Sequence, residues 1–490
     1  MTTIAPPDAS PEAAPRHGTV RNHVGGAWVD GGAELLDVHA PATGAVIARV
    51  PLSGPAEVDA AVRAARAALP GWAATPLKER VQVLFRYRAL LERDADALTA
   101  LIVEEHGKVE VEARAEILKA IELTEFACAL PQVATGEVLE VSRGVECRAD
   151  RHPVGVVASV APFNFPVMVP HWTVPNALAL GNCMLLKPSE LVPLSATRMA
   201  ALLAEAGLPA GVFNVVHGGQ AAVEALCDHP GIDALTFVGS TRVATLVYRR
   251  ATAALKRALA LGGAKNHLIV MPDAEPRGTA ANVAASMAGC SGQRCMAASV
   301  MLAVADVDPI LERVVEEARR LVPGDTLGPV ISREAKARIE RHVTEAERAG
   351  ARVLLDGRGA TAPGREGGYW VGPTVLDGVT PDMRIAREEV FGPVLAVVRA
   401  ADLDAALAVE NASPYGNAAS VFTTSGGAAR AVMERAQAGM VGVNVGVPVP
   451  REPFGFGGWG ESAFGAGDIT GKGSIEFWTR TKKTTTRWGT

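Results

Sequence analysis

Between residues 35 and 51 apolar and polar positions alternate on either side of Pro41-Ala-Thr-Gly44, the pattern of a strand, a turn and a second strand. The apolar spacing then lengthens to that of helices. It predicts helices over 56–68, 79–106 and 109–129, the last closed by Pro131. Residues 133–148 return to short strands around a turn at Gly144 and read as an excursion from the core. From Gly155 short apolar runs at 156–160, 183–186, 212–216 and 234–238 are interleaved with or followed by helical stretches at 195–206, 221–228 and 241–253. Strands alternating with helices predict a parallel sheet with crossover connections. A second block of this kind runs from about Gly263 to Pro448, with strands near 268–271, 300–304, 395–398, 419–422 and 442–444. The threonine-rich tail, 482–488, favours an extended strand. Two such blocks place the expected active site in the cleft between them, at the C-terminal ends of strands.

Length adds that 490 residues exceed one hydrophobic core, so two or three domains are expected. A hydrophobic share of 48% with 21% charged residues is globular, and a net charge of -5 offers no basic footprint for a nucleic-acid partner. Six scattered cysteines form neither a disulfide framework nor metal-type pairs, which fits a reducing, cytoplasmic setting. The ten histidines show no ligand spacing, so no metal is expected. Residues 1–18 are rich in Pro and Ala without the apolar stretch of a signal peptide and read as a flexible arm. The apolar run 154–172 is interrupted by Pro162, Asn164, Pro166 and Pro170, which argues against a membrane span.

Candidate chemistry centres on Gly289-Cys-Ser-Gly-Gln-Arg-Cys295-Met296. A lone cysteine is ordinarily a small buried hydrophobe. Cys295, however, follows a small-residue helix, sits on a loop and neighbours Arg294, where a thiolate nucleophile is favoured. Lys187-Pro-Ser-Glu190 lies just past a strand, where a Lys and a Glu can hold ribose hydroxyls; Glu190 would repel a 2′-phosphate and so favours NAD over NADP. Ser240, in Phe237-Val-Gly-Ser-Thr241, opens a helix whose N-terminus suits a pyrophosphate, or is an ordinary cap. Asn164 stands in a proline-stiffened loop, Pro162-Phe-Asn-Phe-Pro166. Its amide and the Cys295 N–H can together form an oxyanion hole, the alternative being a turn Asn.

Taken in order, these motifs, with Glu388-Glu-Val-Phe-Gly-Pro393 and Pro453-Phe-Gly455, resemble the NAD(P)-dependent aldehyde dehydrogenase superfamily over nearly the full chain. The resemblance implies an α/β fold of two parallel α/β domains and a small β oligomerisation domain. Residues 19–131 and 152–262 would bind NAD, 263–472 would be catalytic, and 132–151 with 473–490 would supply oligomerisation strands of a homodimer or homotetramer. It further implies Cys295 as nucleophile and Asn164 in the oxyanion hole. Phe163, Lys187, Glu190, Ser240, Glu389 and Phe391 would contact the cofactor, with Glu389 on the nicotinamide ribose and Phe391 beside the nicotinamide.

One departure narrows the resemblance. Most members carry Glu-Leu-Gly-Gly-Lys, whose Glu activates water; here Leu261 stands at that position in Leu261-Gly-Gly-Ala-Lys265-Asn-His267. A general base contributes about 10²–10⁴-fold to such a step. A thiol such as coenzyme A needs less help, since part of it is already thiolate near neutral pH. The missing base points to thiolysis, unless another carboxylate substitutes. Gly-Ala-Lys-Asn-His, Gly-Gln-Arg-Cys-Met and Asn444-Val-Gly-Val-Pro-Val-Pro450 are similar to the CoA-acylating methylmalonate- and malonate-semialdehyde dehydrogenases. That group implies Arg294 as a carboxylate holder. Its second carboxylate-binding Arg is Lys119 here, which keeps the charge and loses the fork. The expectation is NAD-dependent oxidation of a small 3-oxo acid semialdehyde through a Cys295 thioester, with CoA as co-substrate, loss of CO2 and release of propionyl-CoA or acetyl-CoA. The alternatives are a hydrolytic aldehyde dehydrogenase and a catalytically silent protein on the same fold.

Overall fold

The structure, a computed structural model, describes residues 15–488. Most of the expected N-terminal arm, residues 1–14, lies outside this range. The remainder, 15–18, is tied down: the His17 N–H donates to the Ile47 carbonyl at 2.9 Å.

Two sheets organise the chain. The first has a parallel core in the order Phe213–Val215, Cys183–Lys187, Val156–Val160, Ala234–Val238, Arg257–Leu261. The order reverses beside Val156–Val160, which opens a crevice between the loops after it and after Ala234–Val238. Antiparallel strands close both edges, Asn22–Val24 on one side and Ala463–Phe464 on the other. The second sheet runs Arg352–Leu355, Thr374–Asp377, Val394–Ala400, Ala298–Val304, Asn266–Val270, Ala418–Phe422, Met440–Val443, parallel except at its first strand. Its central strands are buried on both faces with a period of two: Val300, Leu302 and Val304 join one core while Met301 and Ala303 join another. A third, three-stranded sheet pairs Val145–Pro153 with both Glu137–Ser142 and the tail strand Thr479–Arg487.

Four expectations need correcting. The helix expected over 79–106 is two, Leu77–Arg93 and Ala95–His106. Asp94 leaves helical geometry at the join, and its carboxylate is drawn to Arg93 and Arg198. Pro131 does not close its helix but sits in the last turn of Glu110–Val133, two residues before its end, at the loss of one hydrogen bond. The strand Arg257–Leu261 was not expected, because its Arg-Ala-Leu-Ala-Leu reads equally as helix. Lastly, only the first sheet meets the cleft with its strand C-terminal ends. In the second, Cys295 and Glu389 precede their strands, so that sheet presents its N-terminal ends.

The tail is held by burial as well as pairing. Trp478 is fully buried, and its indole N–H has no partner. Trp478→Ala is expected to lower the unfolding free energy by about 3–5 kcal/mol. Trp478→Phe should cost much less, since no hydrogen bond is lost; denaturant titration of both variants checks this.

Candidate active site

The helix Pro276–Ala288 starts on a proline and a Glu275 side chain that accepts from the Arg277 and Gly278 N–H groups. Beyond it Cys290, Ser291 and Gly292 have φ of 53°, 54° and 71°. Left-handed geometry at Cys and Ser persists only where the surroundings enforce it. Here the Ser291 hydroxyl donates to the Gly328 carbonyl at 2.7 Å, and the Cys290 N–H donates to Glu112 Oε1 at 2.7 Å. Gly292 is required twice, by its φ and because a Cβ there would strike the Gly392 carbonyl. This turn delivers Cys295 to the cleft. Its carbonyl accepts from Asn266 Nδ2 at 2.7 Å and from Asn417 Nδ2 at 3.0 Å, which fixes the loop against the start of the second sheet.

Asn164 is buried on the loop after Val156–Val160 and donates through Nδ2 to the Gln293 carbonyl at 3.0 Å. An amide carries two N–H donors, so one remains for a ligand. Behind it lies a buried ion pair: Lys108 Nζ donates to Glu116 Oε2 at 2.6 Å and to the Asn164 carbonyl at 2.9 Å. Glu116 Oε1 accepts from the Val167 and Met168 N–H groups at 2.8 and 2.9 Å.

Asn164, Cys295, Phe163, Lys187, Glu190, Ser240, Glu389 and Phe391 all line one cleft of about 1030 Å³. Lys187 donates to Glu190 at 2.7 Å. Ser240 caps the helix Thr241–Ala253, yet its hydroxyl is not spent on that cap. Val223, Val243, Leu246 and Val247 form an apolar slot beyond it, and Leu246 is exposed there. Phe163 and Phe391 meet edge to face, centroids 5.8 Å apart. A planar base in the slot, a hydroxylated sugar at Lys187–Glu190 and a pyrophosphate at the helix N-terminus make these residues a fit for a dinucleotide. Among the described residues no three His, Cys, Asp or Glu side chains gather as a metal site.

Arg294 and Lys119 do not line this cleft. The Arg294 guanidinium turns back to the helix end, donating to the Ala285 carbonyl at 2.7 Å, and fills the space a side chain at Gly289 would need. Lys119 is paired with Glu452 at 2.7 Å and Glu122 at 3.3 Å. Leu261 ends its strand buried between Val238 and Ala463. Sequence reasoning missed Lys108, Glu116, Asn266, Asn417 and Gln293. Asn266 and Gln293 lay within motifs already singled out, but nothing local signals their partners.

The aldehyde dehydrogenase family pattern matches residues 28–484. Malonate-semialdehyde dehydrogenase 2 of Geobacillus kaustophilus is 43% identical over 479 residues, 96% of this chain and 99% of that protein. The chain belongs to the aldehyde dehydrogenase family. Malonate-semialdehyde dehydrogenase 2 of Geobacillus thermodenitrificans is 45% identical over the same shares of both chains. Among solved structures, methylmalonate-semialdehyde dehydrogenase from Oceanimonas doudoroffii superposes with a TM-score of 0.95 at 42% identity, covering 96% of this chain and 99% of that one. A Sinorhizobium meliloti protein assigned as a methylmalonate-semialdehyde dehydrogenase and solved with NAD gives 0.95 at 40%, covering 96% and 98%.

For an aldehyde dehydrogenase the charge on the cleft thiol matters, and here the structure corrects the expectation of a favoured thiolate. Burial, reinforced by the Glu389 carboxylate, pushes the Cys295 thiol up to about 12, and Arg294 opposes this only weakly because it points away. Burial likewise lifts Glu389 to about 7, against the Ala264 N–H, Lys265 and Arg338. Glu389→Gln removes a negative charge near the thiol, so the Cys295 pKa should fall. Alkylation of Cys295 by iodoacetamide at pH 8, without cofactor, is expected to quicken several-fold in this variant; an unchanged rate would show that Glu389 does not act on the thiol.

Proposed function

We propose that this aldehyde dehydrogenase oxidises a small 3-oxo acid semialdehyde, malonate or methylmalonate semialdehyde, with NAD and transfers the acyl group to CoA. The observation that carries the acylating half is Leu261: the position of the family's water-activating carboxylate is taken by a leucine buried in a strand end. The names of the relatives at 43 to 45% identity support the substrate. The Sinorhizobium meliloti structure with NAD, and the repulsion of a 2′-phosphate by Glu190, support the cofactor.

In this reading Lys187 and Glu190 hold a ribose of NAD, Ser240 its pyrophosphate, and Glu389 and Phe391 its nicotinamide end. When bound, NAD supplies the acceptor for the hydride that leaves the substrate carbon. Cys295 gives its proton to solvent in the cleft and its sulfur attacks the aldehyde carbon. The free Asn164 amide hydrogen and the Cys295 N–H stabilise the oxygen that becomes negative. Loss of hydride leaves a thioester on Cys295. The β-carboxylate departs as CO2, its electron pair passing into the thioester enolate, which a proton quenches. The CoA sulfur then attacks the thioester carbon and Cys295 leaves as thiolate.

A second reading, hydrolysis to a free acid, is favoured by one observation: Glu389 is a half-buried carboxylate lining the same cleft as Cys295, lifted to about 7 and so suited to proton transfer. CoA dependence separates the two. With malonate semialdehyde and no CoA, NADH should form as a single stoichiometric burst, followed by steady turnover once CoA is added. Equal turnover without CoA would establish hydrolysis, and Cys295→Ala should abolish the burst in either case.

In domain terms, residues 19–131 and 152–262 would hold the cofactor and 263–472 the nucleophile, with 1–18 an arm. Segments 132–151 and 473–490 would join copies of the chain into a homodimer or homotetramer, a reading supported by the exposed Val138, Leu139 and Val141 on the third sheet. No helix among the described residues is long and apolar enough to cross a membrane. Six free cysteines support a cytoplasmic location.

A further inference from the structure

Among the described residues five cationic side chains line the cleft, and three of them are engaged. Lys187 donates to Glu190 at 2.7 Å. Arg250 reaches from the helix Thr241–Ala253 to Asp228 at 2.7 Å and Glu224 at 3.0 Å, both on the helix Gln220–Asp228, and so ties the two walls of the base slot together. Arg338 stands where its charge acts on Glu389. Arg242 and Arg249 remain. Both are exposed, and neither side chain has a hydrogen-bond or ion-pair partner among the described residues. They lie four residues before and three after Leu246, so one stripe of the helix carries a guanidinium on each side of the slot's exposed apolar residue. NAD has no use for them: the charge of its adenosine diphosphate is in the pyrophosphate, which the helix N-terminus at Ser240 serves.

Coenzyme A contains the same adenosine 5′-diphosphate as NAD, with a phosphate on the ribose 3′ oxygen and a thiol-ended arm in place of the nicotinamide riboside. Its thiol must reach Cys295, which lies in this cleft. An adenine in the slot and a pyrophosphate at Ser240 aim that arm at Cys295. The extra phosphate cannot sit at Lys187–Glu190 as a hydroxyl does, because the Glu190 carboxylate repels it and the Lys187 ammonium is taken. The helix stripe offers instead the planar donor fork of a guanidinium, which matches phosphate oxygens. We propose that Arg242 and Arg249 form the seat of the coenzyme A 3′-phosphate, a seat that NAD leaves unused. This inference rests on the proposed acyl transfer to CoA.

The test measures acyl transfer from malonate semialdehyde to CoA and to 3′-dephospho-CoA, in the wild type and in the double variant Arg242→Gln with Arg249→Gln. The wild type should prefer CoA roughly tenfold in kcat/KM, the low end of what a hydrogen bond to a charged group contributes. The preference should lie in KM and shrink in added salt, because both guanidinium groups are exposed. The double variant should take the two thiols equally. No preference in the wild type, or a loss in the double variant shared equally by both thiols, would overturn the proposal. Calorimetry with adenosine 3′,5′-bisphosphate and with AMP, which differ only in the 3′-phosphate, needs no turnover. The bisphosphate should bind the wild type roughly tenfold more tightly than AMP, and the double variant no more tightly than AMP. Equal binding of the two nucleotides by the wild type counts against the arginines even if no thiol accepts the acyl group. Turnover independent of any thiol would instead overturn the acylating reading.

Discussion

The active site hangs on the buried pair Lys108–Glu116. Neither side chain is more than 1% exposed, and the two close at 2.6 Å. Two charges taken out of water are tolerated only when their remaining hydrogen-bonding capacity is used. Here it is used entirely on the backbone of the Asn164 loop: Lys108 takes the Asn164 carbonyl, and Glu116 takes the Val167 and Met168 N–H groups. Lys108 also stands 4.0 Å over the Phe165 ring. One ion pair thus fixes where the loop leaves the first sheet. Because Glu112 on the same helix holds Cys290, it also sets the distance between the two loops that meet across the cleft. The Asn164 amide then bonds to Gln293, joining them directly.

That rigidity has an electrostatic consequence. The packing that fixes the loops also draws Cys295 and Glu389 partly out of water, which disfavours their charged forms. Cys295 is held protonated and Glu389 is lifted toward neutrality by the same loss of water. Lys265, buried beside Glu389 with its ammonium unpartnered, is pulled down to about 7 for the same reason.

What the sequence disclosed and what it did not divide along chain separation. Parallel strands such as Val156–Val160 and Ala298–Val304 announce themselves because they are buried on both faces, so all but one residue in each is apolar. Cys295, Asn164, Lys187, Glu190, Ser240, Glu389 and Phe391 were legible because each sits in a short motif with a local rationale, and the structure gathers them on one cleft. The residues that hold those motifs were not legible. Glu116 meets Lys108 across eight residues and Val167 across fifty-one, while Asn417 meets Cys295 across 122. Arg294 misled for a related reason: adjacency to Cys295 in sequence suggested a charge beside the thiol, but a side chain following a tight turn need not point the same way as its neighbour. Its guanidinium found the carbonyls at the end of Pro276–Ala288, a natural site for a cation.

The replacement of an acid by Leu261 fits its structural surroundings. The residue ends a strand flanked by Val238 and by Ala463 of the returning chain, in the first hydrophobic core. A carboxylate there would need water or a cation, and neighbours of this kind offer neither. The remaining carboxylate near the thiol, Glu389, is held against the Gly263–Ala264 backbone by the Ala264 N–H at 3.2 Å. Glu389 Oε2 stands 2.6 Å from where a Cβ on Gly263 would be, so a side chain at 263 would displace it. Water needs a positioned base to take its proton, whereas a thiol arriving as thiolate needs only an electrophilic carbon and a braced oxyanion. With Asn164 proposed as the oxyanion brace and a buried leucine at 261, the site suits thiolysis better than attack by water.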